Sequence, residues 1–332
     1  MSASTFHVER TAIYDPAWRA AAPPLEERGS HFPSLTSTVP KELVHRAAVA
    51  EVLLTDWRRI DDTRFEVSAQ WPRSHSFFTP IAGTHHDPLI CGETIRQIGS
   101  LLAHAEFGVP FGYNFLWWDV EFSVRPEHLR VDRTPASLDI EVTCTEVKRR
   151  AGRLAWLRYE AVVRRDGHVA ARGRMSFAAI SPSVYQRVRP AHTLEADHRP
   201  LPLTAPVAPQ SVGRLSPTDV VLSPVNEPDR WQLRVDIHHA ALFDHPVDHV
   251  PGMLLLEAAR QATAATLGRS SLLPISIAGD FKRYAELDSP CMIEAQRLYG
   301  DIPGSNDAVL VTGHQDGQPV FTATVTADSC TD

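Results

Sequence analysis

One pattern occurs twice in this sequence, and it limits the architectures that the chain can adopt. Residues His85–Gln97 and His249–Gln261 both begin with histidine, continue through a turn residue and an apolar run, and end in Glu-x-x-Arg-Gln. Upstream of the two copies, Ala50–Thr55 matches Thr218–Ser223 without gaps. Because the matched segments follow in the same order, we interpret them as two copies of a duplicated unit.

Each copy also carries a hairpin signal near its end. Asp166-Gly167 and Asp316-Gly317 each lie between strand-like runs of apolar residues. The Asp-Gly dipeptide favours the positive φ angles of a type I′ turn. The repeated unit is therefore predicted to contain a strand, a loop, one long helix and several further strands that end in a hairpin.

The long helices can be placed from their boundary residues. The first is expected from Leu89 to about Glu106, and the second follows Pro251-Gly252 and stops at Gly268. The second is apolar nearly all round, so other structure must wrap it. These elements predict an α+β fold of two tandem units. In each unit a long central helix is wrapped by an antiparallel sheet, and the two units form an intramolecular pseudodimer.

Proline usage suggests where the units begin and end. The chain has 26 prolines, many of them in residues 181–209, where no hydrophobic period is present. Such a segment is typical of a linker. We predict an N-terminal arm (1–40), a first domain (41–182), a Pro-rich linker (183–212) and a second domain (213–330).

Composition and charge argue against several classes of protein. Hydrophobic residues make up 43% and charged residues 22%, as in ordinary globular chains. The net charge of −7 argues against a nucleic-acid partner. The four cysteines lie at no zinc-ligand spacing, so no metal is expected. The sequence has no GxxxxGK(S/T), no GxGxxG after a strand and no GxSxG, and no cofactor is expected. Without a leader or an apolar run of about 20 residues, the chain is expected to be soluble and cytoplasmic, with no membrane partner.

Two charged pairs lie on the predicted helices. Glu93 with Arg96, and Glu257 with Arg260, are three residues apart and so share a helix face. The ordinary interpretation of such a pair is a surface salt bridge. The second helix has little polar surface, however, and burial of both charges is costly unless it is compensated. We therefore interpret both pairs as candidate functional groups.

Residues that flank the helices supply further candidates. Loop histidines such as His245 and His249 can act as general bases or bind substrate, although many loop histidines are simply solvated. Phe281–Arg283, like Phe122–Arg125 in the first unit, is expected to begin a strand, and its basic residues are expected either to attract a phosphate or to be solvated. The aromatic run Phe115–Trp118 is expected to line the core, the interface of the first unit, or an acyl channel.

Two stretches of sequence resemble known families. His245–Ala258 resembles the His, Pro-Gly, apolar and Glu-Ala signature of hotdog-fold hydroxyacyl-ACP dehydratases, with a shorter spacing from His245 to Glu257. Val44–Thr55, the repeated Glu-x-x-Arg-Gln and the block Asp-His-Pro-x-Asp-His-x-Pro-Gly-Met are together similar to the A-factor biosynthesis family. That family comprises double-hotdog γ-butyrolactone and butenolide synthases. The resemblance spans roughly residues 41–328 and implies a tandem hotdog fold.

The resemblance implies an acyltransferase. It would move a β-ketoacyl group from an acyl carrier protein to the hydroxyl of dihydroxyacetone phosphate. The resulting 3-oxoacyl ester condenses to a phosphorylated butenolide, the precursor of γ-butyrolactone, butenolide or furan hormones that control antibiotic production. A homo-oligomer is compatible with these partners.

The resemblance also implies roles for individual residues. The family's functional acidic and basic residues fall on Glu93, Glu257 and Arg260, with Arg96 at the equivalent place in the first unit. On physical grounds, a buried glutamate with a raised pKa can take the hydroxyl proton, and an arginine can either bind the phosphate or hold the glutamate in position. The helix N-terminus near Gly252 can donate to the thioester oxygen. On this view Glu257→Gln removes most activity without unfolding the protein. The catalytic candidates are Glu257, Arg260 and Glu93, and the substrate-binding candidates are Arg96, His245, His249, Gly252, Gln261, Lys282 and Arg283.

Two other functions fit the same pattern. One is a hotdog dehydratase or thioesterase acting on acyl carrier substrates, and the other is a non-catalytic double hotdog that binds acyl ligands. Thiol release that depends on dihydroxyacetone phosphate would distinguish the acyltransferase from both.

Overall fold

The computed structural model of the chain describes residues 36–189, 200–298 and 307–328. The predicted arm, residues 1–40, therefore lies almost entirely outside the described residues, as do residues 190–199 of the predicted linker. From Ser37 onward the described residues belong to one compact unit. The two copies of the repeat are therefore not separate bodies.

The described residues contain twelve strands and three α-helices. In the first copy these are β1 (Leu54–Arg59), β2 (Arg64–Trp71), α1 (Leu89–Ala105), β3 (Asn114–Val124), β4 (Ala136–Arg150), β5 (Arg153–Arg165) and β6 (His168–Ile180). They are followed by α2 (Pro182–Val188), β7 (Leu222–Pro224), β8 (Arg230–Leu233), α3 (Gly252–Leu267), β9 (Pro274–Phe281), β10 (Cys291–Leu298), β11 (Asp307–Gln315) and β12 (Gln318–Ala327).

All twelve strands form a single antiparallel sheet. Their order is β1-β2-β4-β5-β6-β3-β9-β12-β11-β10-β8-β7, so the second copy repeats the order of the first in reverse across the β3–β9 pair. At this seam Glu121 lies opposite Ala278, and Phe122 lies opposite Ile277. The tandem hotdog and its intramolecular pseudodimer are thus confirmed.

The central helices begin and end close to the predicted residues. Nearly all of α1 and most of α3 are buried against the sheet. Gly268 ends α3 in the left-handed conformation at φ 67°, as its position predicted. Asp166-Gly167 and Asp316-Gly317 form the two hairpin turns with positive φ at both residues, because glycine and aspartate tolerate that conformation.

Two local predictions are wrong. Phe122–Arg125 and Phe281–Arg283 lie at the ends of β3 and β9 and not at their beginnings. β3 already starts at Asn114, because the aromatic run pairs with β6, and Lys282 and Arg283 leave the sheet and are exposed.

The predicted linker also begins with regular structure. It opens with α2, where Ser181 caps the helix by accepting from the Val184 amide and Pro182 occupies the first turn, an ordinary helix start. The division into arm, domains and linker stays a prediction. None of the helices in the described part of the chain has both the length and the apolar character needed to cross a membrane.

Candidate functional site

Glu93 on α1 is the centre of a charged cluster in the first copy. Arg96 donates from Nε to Oε2 at 2.9 Å and from Nη2 to Oε1 at 2.8 Å. Arg46 donates from Nε to Oε1 at 3.1 Å, and Gln97 donates to the same oxygen at 2.7 Å. The Gln97 side chain also donates to the Glu51 carbonyl and accepts from the Leu53 amide. These two bonds fix the cluster against the segment that leads into β1.

Glu257 on α3 is the centre of an equivalent cluster in the second copy. Arg260 donates to Oε2 at 2.9 Å and to Oε1 at 2.7 Å, and Arg214 donates from Nε to Oε1 at 2.7 Å. Gln261 donates to Oε1 and to the carbonyl of Asp219. Asp87, contributed by the first copy, adds a further carboxylate at 3.5 Å from Arg214.

Both glutamates are ionised, which corrects the expectation of a raised pKa. Burial alone would raise each pKa, but the paired arginines outweigh it and lower the pKa of Glu93 and of Glu257 to about 2. A carboxylate with so low a pKa, and with its oxygens occupied by guanidinium donors, is poorly suited to take a proton from a hydroxyl.

The second arginine of each cluster was not predicted from the sequence. Arg46 and Arg214 precede the matched stretches Ala50–Thr55 and Thr218–Ser223 by the same number of residues. Extending that alignment a few positions upstream would have paired them. The signal was therefore present, but it lay outside the Glu-x-x-Arg-Gln pattern.

The two arginines also connect the copies to each other. Arg46 donates to the carbonyl of Ala241 in the second copy at 3.0 Å, and Arg214 donates to the carbonyl of Phe77 in the first at 2.7 Å. Each cluster therefore joins Glu, Arg and Gln side chains of one copy to a backbone carbonyl of the other. A cavity beside either cluster belongs to the interface.

A large cavity lies beside the Glu93 cluster. It measures about 1020 Å³ including its open mouth. Four of the predicted substrate-binding residues, Arg96, His245, His249 and Gly252, lie in its wall. Other residues of the lining include His45, Arg46, Ser100, Asn114, Phe115, Trp117, Met253 and Tyr284.

A second, more apolar cavity of about 570 Å³ adjoins the first. The two share Phe115, Trp117, His249, Gly252 and Tyr284. The aromatic run Phe115–Trp118 therefore lines a channel at the interface, which is one of the placements predicted for it. Lys282 and Arg283, the remaining basic candidates, also lie in the wall of this second cavity.

Gly252 brings the start of α3 to the shared wall. A Cβ at this position would lie 2.6 Å from Cε3 of Trp117. Only glycine therefore allows the first turn of α3 to pack so closely on the aromatic run of the other copy. Gly252 itself lines both cavities.

The Glu257 cluster is closed to such a cavity, and position 213 explains why. Gly213 and its counterpart His45 both cap a short 3₁₀ turn in the left-handed conformation. A Cβ at Gly213 would lie 2.8 Å from the Ser270 carbonyl and 3.3 Å from Nη1 of Arg260. The segment that follows α3, at Ser270, thus fills the space that corresponds to the place of His45 in the first copy.

Exposure of the arginines reflects the same difference. The side chains of Arg46 and Arg96 are 8% and 12% exposed, whereas those of Arg214 and Arg260 are 1% and 2% exposed. Glu257, Arg260 and Gln261 line none of the cavities found among the described residues.

His45 is held by a second histidine. Its Nε2 lies 2.7 Å from Nε2 of His104, and Nδ1 of His104 donates to the Val109 carbonyl at 2.7 Å. Burial, with the charge of Arg96 nearby, lowers the pKa of His45 to about 3. The His45 ring is therefore neutral and lies beside the guanidinium of Arg96.

His249 is held by the adjacent carboxylate. Its Nδ1 lies 2.7 Å from Oδ1 of Asp248, and the hydroxyl of Tyr185 donates to both oxygens of that carboxylate at 2.6–2.7 Å. His245, by contrast, lies 3.6 Å from the Asp244 carboxylate. Neither Asp248 nor Tyr185 was a predicted site residue.

Comparison with known proteins identifies related sequences. The family model for the A-factor biosynthesis hotdog domain matches residues 29–181 and 196–331. A 2-oxo-3-(phosphooxy)propyl 3-oxoalkanoate synthase of Streptomyces virginiae is 53% identical over 291 residues, which cover 88% of this chain and 98% of the relative. A relative of the same name from Streptomyces coelicolor is 44% identical over 288 residues, covering 86% and 90%.

Solved structures of similar shape share little sequence with the chain. An oleoyl thioesterase structure from Lactobacillus plantarum aligns with a TM-score of 0.52 and 10% identity, covering 80% of this chain and 97% of that one. At this identity the likeness shows a common fold and nothing about the reaction.

Proposed function

Because the chain belongs to the A-factor biosynthesis hotdog family, we propose that it is an acyltransferase of the 2-oxo-3-(phosphooxy)propyl 3-oxoalkanoate synthase type. It transfers a β-ketoacyl group from an acyl carrier protein to the hydroxyl of dihydroxyacetone phosphate. The ester condenses to a phosphorylated butenolide, the precursor of a hormone that controls antibiotic production. The name of the relatives describes both parts of this ester, the phosphooxypropyl group and the 3-oxoalkanoate.

The observation that carries the proposal is the pair of guanidinium groups at the interface cavity. Glu93 holds Arg46 and Arg96 side by side in the cavity wall. Nη1 of Arg96 has no hydrogen-bond acceptor among the described residues. Two fixed guanidinium groups, of which Arg96 has Nη1 free, suit a phosphate, which arginine binds through paired hydrogen bonds.

The adjoining cavity suits the acyl thioester. Phe115 and Trp117 offer apolar surface to the acyl chain, and the amides at Gly252 can donate to the thioester oxygen as it gains charge. The exposed Lys282 and Arg283 lie at the same cavity, where they would attract the phosphate of a carrier-bound pantetheine arm.

We assign the reaction to the Glu93 side of the molecule. Glu93 positions the two arginines, and Arg96 with His245 and His249 faces the substrates. Glu257, Arg260 and Gln261 then stabilise the second copy against the first, because their cluster is sealed. This assignment replaces the expectation that Glu257 is the base.

Incubation with a β-ketoacyl carrier protein and dihydroxyacetone phosphate tests the proposal. We expect release of free carrier thiol only when both substrates are present, and a phosphorylated butenolide in the mass spectrum. Thiol release with water alone would instead indicate a thioesterase, and loss of water from a hydroxyacyl thioester would indicate a dehydratase. Ligand binding without turnover would indicate a non-catalytic protein.

Arg96→Lys tests the phosphate site. Lysine keeps the charge but loses the paired donors, so kcat/KM for dihydroxyacetone phosphate should fall by about 10-fold or more, equivalent to about 1.4 kcal/mol or more. Arg133→Lys is the matched control, because Arg133 is exposed on a loop and lines none of the described cavities. An unchanged kcat/KM in Arg96→Lys would contradict the assignment of the phosphate to this arginine.

A further inference from the structure

We propose that His249 is the general base of the acyl transfer and that Asp248 positions it. The inference rests on the proposed function, since it concerns the proton of the attacking hydroxyl. It also fills a gap in the site. The glutamates expected to serve as the base are paired with arginines, so another group must accept the proton.

The hydrogen bond to Asp248 fixes the tautomer of His249. A carboxylate only accepts hydrogen bonds, so Nδ1 carries the hydrogen and Nε2 of the neutral ring bears a lone pair. No described residue bonds Nε2. The ring is 29% exposed and lies in the walls of both cavities, where the phosphate side and the acyl side meet.

The carboxylate that orients His249 is itself firmly held. Asp248 is only 10% exposed and accepts from Tyr185 as well as from His249. Although burial opposes ionisation, these hydrogen bonds lower the pKa of Asp248 below its ordinary value. Asp248 is thus an ionised acceptor on the side of the ring away from Nε2, as in other histidine bases that a carboxylate orients.

A second layer of contacts fixes this arrangement. Tyr185 belongs to α2, and Arg189 follows the same helix. The Arg189 guanidinium lies 4.0 Å from the Tyr284 ring centre and forms two 2.7 Å hydrogen bonds with Glu286. Tyr284 in turn packs edge-on against the His249 ring, with 4.7 Å between centres. Tyr185 thus holds Asp248, and Tyr284 packs against His249.

Other groups at the cavity are less suited to the task. His45 donates its Nε2 hydrogen to His104 and lies beside Arg96, whose charge opposes protonation of the ring. His245 has no carboxylate within hydrogen-bonding distance to fix its tautomer. Of these three histidines, only His249 combines an orienting carboxylate with a ring nitrogen open to the cavity.

The proposed step conserves atoms and charge. The hydroxyl oxygen of dihydroxyacetone phosphate attacks the thioester carbonyl carbon while its proton moves to Nε2 of His249, and the carbonyl electron pair moves to oxygen. When the carbonyl re-forms, the C–S bond breaks and its electron pair leaves with sulfur. Nε2 then returns the proton to sulfur, so that hydroxyl and thioester become ester and thiol.

His249→Asn tests the base directly. The asparagine amide can still donate to Asp248 in place of Nδ1, but it has no counterpart of Nε2. We expect kcat for thiol release to fall by about 100-fold or more, while KM for dihydroxyacetone phosphate changes by less than about threefold. Added imidazole should restore part of kcat in His249→Gly.

His85→Asn is the matched control. His85 occupies the place of His249 in the first copy of the repeat, where its Nδ1 bonds the Thr84 hydroxyl and it lines none of the described cavities. We expect its kcat to equal that of the wild type. A comparable loss in His85→Asn would mean that the effect of His249→Asn is structural, and would overturn the proposal.

Asp248→Asn and Asp248→Glu test the positioning role. The asparagine amide can donate to the ring and so favour the wrong tautomer, so kcat should fall without a matching change in KM, and glutamate should restore part of it. Nitrogen NMR of the labelled ring reports the tautomer without any turnover. An Nε2–H tautomer in the wild type would overturn the proposal.

Failure of the inference can be told apart from failure of the proposed function. If the wild type releases thiol only with dihydroxyacetone phosphate, and folded His249→Asn does the same at a similar kcat, the base is wrong and the function stands. If the wild type shows no such dependence, the function and this inference fall together.

Discussion

The Glu93 and Glu257 clusters share one glutamate, two arginines and one glutamine in a similar bonding pattern, yet they differ in what lies beside them. In the first copy the arginines border a cavity, and His45 projects from a left-handed position into it. In the second copy Gly213 occupies that position and the Ser270 carbonyl closes the space. One bonding pattern can thus position groups for a ligand in one copy and stabilise the interface in the other.

Removal of the two carboxylates should separate these roles, and it has the largest expected effect. Glu257→Gln leaves Arg214 and Arg260 buried with less compensation, so it should lower the free energy of unfolding by about 3–5 kcal/mol. Glu93→Gln should lower it by about 1–2 kcal/mol, because Arg46 and Arg96 are partly accessible to water. Urea unfolding measures both, and equal losses would mean that the enclosure of the clusters does not distinguish them.

Substitutions at the left-handed position, residue 45 or residue 213, should have a smaller effect on the free energy of unfolding. Gly213→Ala adds a Cβ in a strained conformation and against the Ser270 carbonyl, so it should lower the free energy of unfolding by about 2–3 kcal/mol. His45→Gly should lower it by about 1–2 kcal/mol, because the hydrogen bond to His104 is lost although glycine accepts this backbone conformation readily. Thermal unfolding of both variants is the measurement. A Gly213→Ala variant as stable as the wild type would show that the second copy has unused space.

Acid titration should lower the stability gradually, because each pH unit removes only part of what the two carboxylates contribute. In both clusters the pKa of the glutamate is about 2 in the folded protein, below its ordinary 4.5. The stability that each contributes is therefore present above pH 4.5 and is lost as the pH falls toward 2. Each carboxylate can contribute up to about 1.4 kcal/mol per pH unit in this range.

The two glutamine variants check this titration one cluster at a time. Unfolding free energies measured between pH 5 and pH 3 should fall less steeply in Glu257→Gln and in Glu93→Gln than in the wild type. If either variant kept the full slope, the carboxylate that it replaces would not be the titrating group.

Most of the fold could be predicted because each sequence signal occurs in both copies of the duplicated unit. Apolar patterning and boundary residues placed α1 and α3 closely, and the Asp-Gly dipeptides placed both hairpins. Strand ends were less predictable. Phe281–Arg283 combines an apolar residue with two basic ones, and whether such a segment begins or ends a strand depends on pairing across the sheet, here with β3 and β12.

The site was harder to predict than the fold, for a physical reason. Spacing on a helix shows that Glu93 and Arg96 share a face, but the pKa of the carboxylate depends on Arg46, which approaches from a distant segment. The same holds for His249, whose orienting Asp248 is fixed by Tyr185 from the segment assigned to a linker. Contacts of this kind are set by tertiary packing. They join isolated residues that form no recognisable pattern in the sequence.

The β3–β9 seam has an evolutionary consequence. In an assembly of two identical subunits every substitution appears twice, so a change that improves one cavity is also imposed on the other. Here the two copies belong to one polypeptide, and a substitution at residue 45 leaves residue 213 untouched. Continuous pairing of the strands from β1 to β7 keeps the two halves together. A change in one half therefore does not impose the same change on the other.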